Sequence, residues 1–243
     1  MRIPGLDISL RMMQGGTATF DPLTLSPNLW LDGADMSSLF QDSAGTTPVT
    51  AAADPVGKWN DKSGAARHVI QATGSARPAF RVTSGKNGVQ GDGVDDALAM
   101  SAAGAALPNP ADIFLVASNP DSDTFGVFLS DATANPYTLV YEDANAASHD
   151  QAGSGTLWVN GVAQTEVASG SRNNLHDAMA GGARKVIEVR AHTALATLTQ
   201  VKIVGYTGAF SSAHYHEMLI YPALTAGQRT TVRDYLTTKW GAA

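Results

Sequence analysis

Short apolar or alternating segments separated by turn residues run through almost the whole chain, and this pattern constrains the fold more than any other feature. Eight such segments are rich in Val, Ile, Leu, Phe, Trp and Tyr, and each is bounded by Gly, Pro, Asn, Asp or Ser. Side chains two positions apart share one face of a strand, so the pattern predicts an all-β protein built as an antiparallel sandwich. The segments are residues 28–33, 112–118, 124–130, 137–142, 156–160, 185–190, 199–206 and 215–221.

One hairpin and one helix have clear local signals. The pair Asn160 and Gly161 can supply the two positive φ angles of a type I′ turn between strands. Near the C-terminus, Thr225 is a good N-cap, apolar residues then repeat at three and four positions, and Gly241 ends the pattern. We expect this helix to pack Leu236 and Trp240 against the flank of the sandwich.

Length and composition limit the class of protein. A chain of 243 residues with 44% apolar content can bury one good core, so we expect a single sandwich domain. Cysteine is absent, which excludes disulfides, a thiolate nucleophile and Cys-ligated zinc, and suits assembly in a reducing cytoplasm. The sequence has no run of 18 apolar residues and no apolar stretch of the secretory type near its start, so we expect neither a membrane span nor a signal peptide.

The net charge of −6 is unevenly distributed. Residues 87–171 carry eleven acidic side chains and no Lys or Arg, whereas the segments on either side are slightly basic. Because phosphate binding depends on Lys and Arg, we expect no nucleic-acid partner and no anionic lipid surface here. Two interpretations of the acidic third remain open, namely a solvated face that keeps the protein soluble and a cation site built from carboxylate oxygens.

Several short motifs occur in a characteristic order. Their arrangement resembles that of the concanavalin A-like (laminin G-like) jelly-roll domains of bacterial surface proteins and tailed-phage structural proteins. The resemblance covers about residues 24–241 and implies an antiparallel jelly-roll sandwich of the concanavalin A-like lectin/glucanase type over residues 24–243, with a short C-terminal helix. The motifs are Leu-Trp-Leu-Asp at 29–32, Trp-x-Asp-x-Ser-Gly at 59–64, Arg-Pro at 77–78, Asp-Gly-x-Asp-Asp-x-Leu at 92–98, Glu-x-Leu-Ile-Tyr at 217–221 and Leu-Thr-x-x-x-Arg at 224–229.

The loop at 42–50 and the segment 54–59 that follows it are similar to those of phage tail, fibre and head-decoration proteins. This resemblance implies a non-enzymatic virion protein that is assembled in the host cytoplasm, is oligomeric among other virion proteins and contacts host-surface glycans. Two alternatives stay open. One is a soluble carbohydrate-binding module of a bacterial surface protein, and the other is a degenerate glycoside hydrolase.

Residues 1–23 fit no strand of the sandwich and form an N-terminal extension. Leu6, Ile8 and Leu10 alternate with other residues, as an added edge strand requires. The segment is therefore either a partner-binding arm that anchors the protein to the particle or a disordered extension.

The sequence offers no recognisable catalytic machinery. Glycosidases on this fold need two carboxylates on one face of a strand, on either side of the scissile bond. Here Arg190 stands two positions after Glu188, and Met218 and Leu219 follow Glu217, so neither glutamate has the required partner. Nucleophile-elbow, phosphate-loop and His-Glu-x-x-His motifs are absent as well, and we predict no catalytic residues.

Two groups of residues are candidate metal ligands. Asp92, Asp95 and Asp96 form either a calcium site, as the resemblance suggests, or a structural turn in which their carboxylates cap backbone N–H groups. The second group is His214 and His216, which are two apart in a strand and are either ligands or part of a solvated face. Calcium is therefore the candidate cofactor.

Aromatic residues are the candidate sugar-binding groups, because sugars stack on exposed rings. We place Trp30, Trp59 and Trp158 in the sandwich core, since all three lie in strand patterns. A glycan site would then rest on three tyrosines that are freer to face outward, Tyr137, Tyr141 and Tyr206.

Overall fold

The computed structural model describes residues 20–101, 107–119, 125–131, 137–142, 155–164, 174–179, 181–193, 201–206 and 209–242. The greater part of the predicted arm, including Leu6, Ile8 and Leu10, lies outside these residues. Within them the protein is mainly β-structure, as predicted. The strands are β1 (Leu29–Asp32), β2 (Leu39–Phe40), β3 (Lys58–Trp59), β4 (Val69–Ile70), β5 (Ala79–Thr83), β6 (Lys86–Gln90), β7 (Leu98–Met100), β8 (Ala111–Ser118), β9 (Phe125–Asp131), β10 (Tyr137–Glu142), β11 (Thr156–Val159), β12 (Val162–Ala163), β13 (Lys185–His192), β14 (Val201–Ile203), β15 (Gly205–Tyr206), β16 (Ala209–Phe210) and β17 (His214–Pro222), and the α-helices are α1 (Asn174–Met179) and α2 (Ala226–Trp240).

Two large antiparallel sheets form the body of the molecule. Sheet A has the order β12-β11-β13-β8-β17-β6-β5, and β1 also pairs with β17. Sheet B has the order β10-β9-β14-β7-β4-β3-β2, and β15 and β16 form a small separate ribbon. One cluster of buried side chains, with members from both sheets such as Ile113 and Met218 of sheet A and Trp59 and Phe128 of sheet B, forms the core between them.

The strand β17 lies in the middle of sheet A and faces the core with alternate residues. Met218 and Ile220 point into the core between the sheets, whereas Leu219 and Tyr221 pack in a second apolar cluster on the outer face. The register with β8 shifts between Tyr215 and Glu217, which is the signature of a β-bulge. This irregularity leaves Tyr215 in the core while Glu217 joins the outer face.

The helix α2 covers that outer face. Thr225 and Gln228 form a capping box at its start, and Gly241, with a φ of 62°, ends it, so the predicted caps are confirmed. Leu236 and Trp240 are buried against sheet A, also as predicted. The second apolar cluster is therefore formed by one stripe of α2 and by the outward-facing residues of four strands, β1, β8, β13 and β17.

Most of the long predicted strands are observed, and so is the Asn160-Gly161 hairpin, whose φ angles are 48° and 78°. The prediction missed the short strands β2 to β7. It was also wrong about Trp30, which is buried in the outer cluster beneath α2 and not between the sheets. Trp158 is likewise outside the core, since it is only partly buried on the outer side of sheet A. The Arg190 guanidinium covers its ring at 3.5 Å from the centroid, so this indole is stabilised by a cation rather than by the core.

Candidate functional site

The Trp-x-Asp-x-Ser-Gly motif has a structural role in this protein. The buried Asp61 carboxylate accepts hydrogen bonds from the backbone N–H groups of Trp30, Ser63 and Arg67, each at 2.9 Å, and from the Ser63 hydroxyl at 2.8 Å. These bonds tie a loop after β3 to the strand β1, which is distant in sequence. The motif thus helps to determine the fold, and its carboxylate is fully occupied.

The structure brings Asp92, Asp95 and Asp96 together. One oxygen from each carboxylate lies within 4.8 Å of the other two. Asp92 accepts from the N–H groups of Val94 and Asp95 at 2.7 and 3.2 Å, and Asp96 accepts from the N–H of Asp92 at 3.0 Å. Burial, followed by the charge of Asp92, raises the pKa of Asp96 to about 6. The backbone bonds agree with the structural turn, and the converging oxygens are also the ligand type that calcium prefers.

His214 and His216 belong to no such cluster among the residues that the structure describes. His214 and His216 are buried, so the interpretation as a solvated face was wrong. His216 lies between the Asn87 carbonyl, 2.7 Å from its Nδ1, and the ring of Trp240, and burial lowers its pKa to about 4. Tyr137 and Tyr141 lie in β10 and Tyr206 in β15, and their sugar-binding role stays a prediction.

Three fully buried carboxylates, those of Asp112, Glu188 and Glu217, lie beneath α2 on the outer face of sheet A. Each is paired with a basic residue of the helix. Arg229 Nε lies 2.8 Å from Asp112, Arg233 Nη1 lies 3.2 Å from Glu188, and Lys239 Nζ lies 2.7 Å from Glu217. Breaking a buried pair by removing one partner costs about 3–5 kcal/mol, so these contacts fix the position of the helix on the sheet.

A groove of about 870 Å³ runs along the other side of α2, where the helix faces β1 and the segment before Leu23. We call it the α2 groove. Aromatic rings provide much of its wall, and the Phe20 and Tyr235 rings meet edge to face with their centroids 5.6 Å apart. Carboxylates, hydroxyls and one ammonium group supply its polar atoms. The lining residues are Phe20, Asp21, Pro22, Trp30, Asp32, Thr231, Asp234, Tyr235, Thr238 and Lys239.

Glu217 lies behind this wall, and four donors occupy its carboxylate. Its Oε1 accepts from Trp30 Nε1 at 2.8 Å and from the Tyr235 hydroxyl at 3.0 Å. Its Oε2 accepts from Trp240 Nε1 at 2.5 Å and from Lys239 Nζ at 2.7 Å. Burial raises the pKa of Glu217 and the Lys239 ammonium opposes that rise, while burial and the nearby Glu217 charge raise the pKa of Tyr235. The carboxylate therefore orients two aromatic walls of the groove.

Asp32 connects the groove to a second set of charges. Its two oxygens accept from Lys239 at 2.7 Å and from Lys62 at 3.0 Å, and Lys62 also pairs with Asp35 at 2.9 Å. Lys62 Nζ lies 4.4 Å from the centroid of the Trp30 ring. Both ammonium groups are thus shared between carboxylates, and the aromatic ring beside them already holds a cation.

This groove was not predicted from the sequence. Trp30 and Asp32 are two apart in β1 and share its outer face, whereas Thr231, Tyr235 and Thr238 form a stripe at the helical spacing of three and four. The helix stripe is visible in the sequence as polar and aromatic residues opposite Val232 and Leu236. Its partner strand lies about 200 positions earlier, and nothing local joins the two.

In the part of the chain that the structure describes, no helix is long and apolar enough to cross a membrane. Comparison with protein-family models and with curated protein sequences gave no match. Among solved structures, a Trypanosoma rangeli sialidase in complex with the inhibitor DANA aligns with 87% of this chain at 14% identity and a TM-score of 0.41. The chain spans 37% of the length of that sialidase, and a similarity of this size carries no conclusion about activity.

Proposed function

We propose that this chain is a non-enzymatic jelly-roll sandwich displayed on a tailed-phage-type particle, where it recognises host-surface carbohydrate through the α2 groove. The observation that carries the proposal is the combination of aromatic walls with hydroxyl and carboxylate groups in that groove. Sugars present apolar C–H faces and a rim of hydroxyls, so they bind where rings and hydrogen-bonding groups alternate.

The size of the groove suits a short oligosaccharide. Ligand sites generally have volumes of about 300–1,000 Å³, and the α2 groove falls within that range. Trp30 and Tyr235 are held in place by their hydrogen bonds to Glu217. Rings that are already oriented lose little conformational freedom on binding, which favours affinity.

The two buried glutamates beneath α2 do not provide the catalytic pair of a glycosidase. A glycosidase needs one carboxyl group that donates a proton and a second that attacks the sugar or activates water. Glu217 accepts from four donors, and Glu188 pairs with both Arg190, at 2.7 Å, and Arg233. Carboxylates engaged in this way hold α2 in place and have no free oxygen to offer a substrate.

The display role rests on the sequence motifs. The similarity of the motifs to those of phage tail, fibre and head-decoration proteins motivates it. The Asp61 contacts explain why the Trp-x-Asp-x-Ser-Gly motif occurs together with a two-sheet fold, because they join the loop after β3 to β1. The part of residues 1–23 that precedes Phe20 would anchor the protein to other virion subunits. Mass spectrometry of particles purified from the source culture should detect this chain at a stoichiometry of many copies, and its absence from intact particles would contradict the display role.

A binding experiment with a matched pair of variants tests the groove. Thr238 and Thr237 are neighbouring exposed helix residues, but only Thr238 lines the groove. On a glycan array the parent protein and Thr237→Arg should bind the same sugars, whereas Thr238→Arg should lose them because its side chain fills the groove. Prolonged incubation with the bound sugars should release no product. Turnover that disappears in Glu188→Gln or Glu217→Gln would show that the protein is an enzyme.

A further inference from the structure

The α2 groove contains more acidic than basic side chains, and this imbalance bears on which class of sugar it can bind. Three aspartates line it, Asp21, Asp32 and Asp234, against the single ammonium group of Lys239. Lys239 is shared between Asp32 and Glu217. Its positive charge is therefore already neutralised by the protein, and the groove as a whole is negative.

Asp21 and Asp234 stand at the exposed margin of the groove. Asp21 uses one oxygen to accept from the N–H of Leu23 at 3.0 Å, which caps the short helical turn that follows. Asp234 has no hydrogen bond or ion pair with another residue that the structure describes. Both carboxylates are available to a ligand.

The rings and carboxylates around the groove already hold ammonium groups of the protein itself. Lys62 lies over the Trp30 ring, and Lys239 Nζ lies 5.3 Å from the centroid of the Tyr235 ring. The negative face of an aromatic ring attracts cations, and ammonium groups are held by sets of rings and carboxylates of this type. An anionic ligand would meet repulsion from Asp21 and Asp234 and would find no uncommitted cation among the groove residues.

We propose that the α2 groove selects sugars that carry a free amine, that is, hexosamines in their cationic form, over neutral and anionic sugars. The amine would pair with Asp234 and Asp21, and the sugar ring would lie against Phe20, Trp30 and Tyr235. This inference rests on the proposed glycan-binding function and adds the chemical class of the ligand.

The test compares two oligosaccharides that differ in one group. Glucosamine oligomers and N-acetylglucosamine oligomers of equal length share the same backbone, but only the former is cationic. Calorimetric titration of the full chain should give binding of the glucosamine oligomer about fivefold tighter, since an ion pair at an exposed margin contributes only modestly to affinity. The preference should shrink at high salt and at a pH above the pKa of the sugar amine.

Asp234→Asn keeps the shape of the side chain and removes its charge, so it should abolish most of the preference. Asp177→Asn is the matched control, because it removes an exposed carboxylate of α1 that does not line the groove. Equal affinity for both oligomers, or a preference that Asp234→Asn leaves unchanged, would refute the selection for amines while leaving glycan binding intact. Absence of binding to any sugar, charged or neutral, would instead refute the proposed function itself.

Discussion

Replacing Arg229 with Met should destabilise the protein strongly, because it leaves the fully buried Asp112 carboxylate without its cation. Arg229 donates from Nε to Asp112 Oδ2 at 2.8 Å and from Nη2 to Oδ1 at 3.3 Å. The carboxylate keeps its bonds from the N–H groups of Ala191 and Leu224. Loss of one partner of a buried pair costs about 3–5 kcal/mol, and each kcal/mol lowers Tm by about 2–4 °C in a chain of this size. We therefore expect Tm to fall by about 6–20 °C.

Arg81→Met is the control for this experiment. Arg81 is also half-buried, but its Nε donates to the uncharged Gln90 side chain at 3.2 Å, so its loss should cost about 1 kcal/mol. Urea unfolding of both variants, of Asp112→Asn and of the double variant Asp112→Asn/Arg229→Met gives the coupling energy. We expect the double variant to be less destabilised than the two single changes together. If Arg229→Met is no less stable than Arg81→Met, or if the two effects simply add, the pair does not hold α2 on the sheet.

Three further predictions concern pH, calcium and the N-terminal segment. The pKa of His216 is about 4 in the folded protein, against 6.5 for the free side chain. Between pH 6.5 and pH 4 the unfolded state therefore takes up a proton that the folded state does not, and the protein loses about 3 kcal/mol of stability as the pH falls. Urea midpoints at pH 7 and 4 should show this loss in the parent and a smaller loss in His216→Gln. Millimolar calcium should raise Tm by binding the aspartate cluster, since a hundredfold excess over Kd adds about 2.7 kcal/mol to the free energy of unfolding, and Asp95→Asn should weaken the effect; an unchanged midpoint would favour the structural turn. Changing Leu6, Ile8 and Leu10 together to Asp should leave Tm unaltered and abolish incorporation into particles, and normal incorporation would contradict the anchoring role.

The sequence predicted those parts of the fold whose signals are local. β8, β13 and β17 are long enough to show their pattern, and the Asn160-Gly161 turn and the caps of α2 depend on residues within a few positions of one another. The strands β2, β3 and β4 have two residues each and exist only because neighbouring strands provide hydrogen bonds. No pattern of period two can be detected in two residues.

The α2 groove could not be predicted for a related reason. Its walls come from β1 and α2, which meet only because both flank β17 in space. The charge on Glu217 was visible in the sequence, but its four donors were not, and they turn a candidate acid into a group that orients Trp30 and Tyr235. The geometry of this site depends on contacts between segments that are far apart in the sequence, and the spacing of residues along the chain does not reveal such contacts.

The central position of β17 has a consequence for biosynthesis. This strand is translated after β1, β6 and β8, with which it pairs. Sheet A therefore cannot close before the ribosome has made β17, and folding must wait for contacts of high sequence separation. Until then β1, β6 and β8 expose unpaired edges that can join another chain. A translation product that stops before His214 should aggregate, whatever the stability of the complete protein.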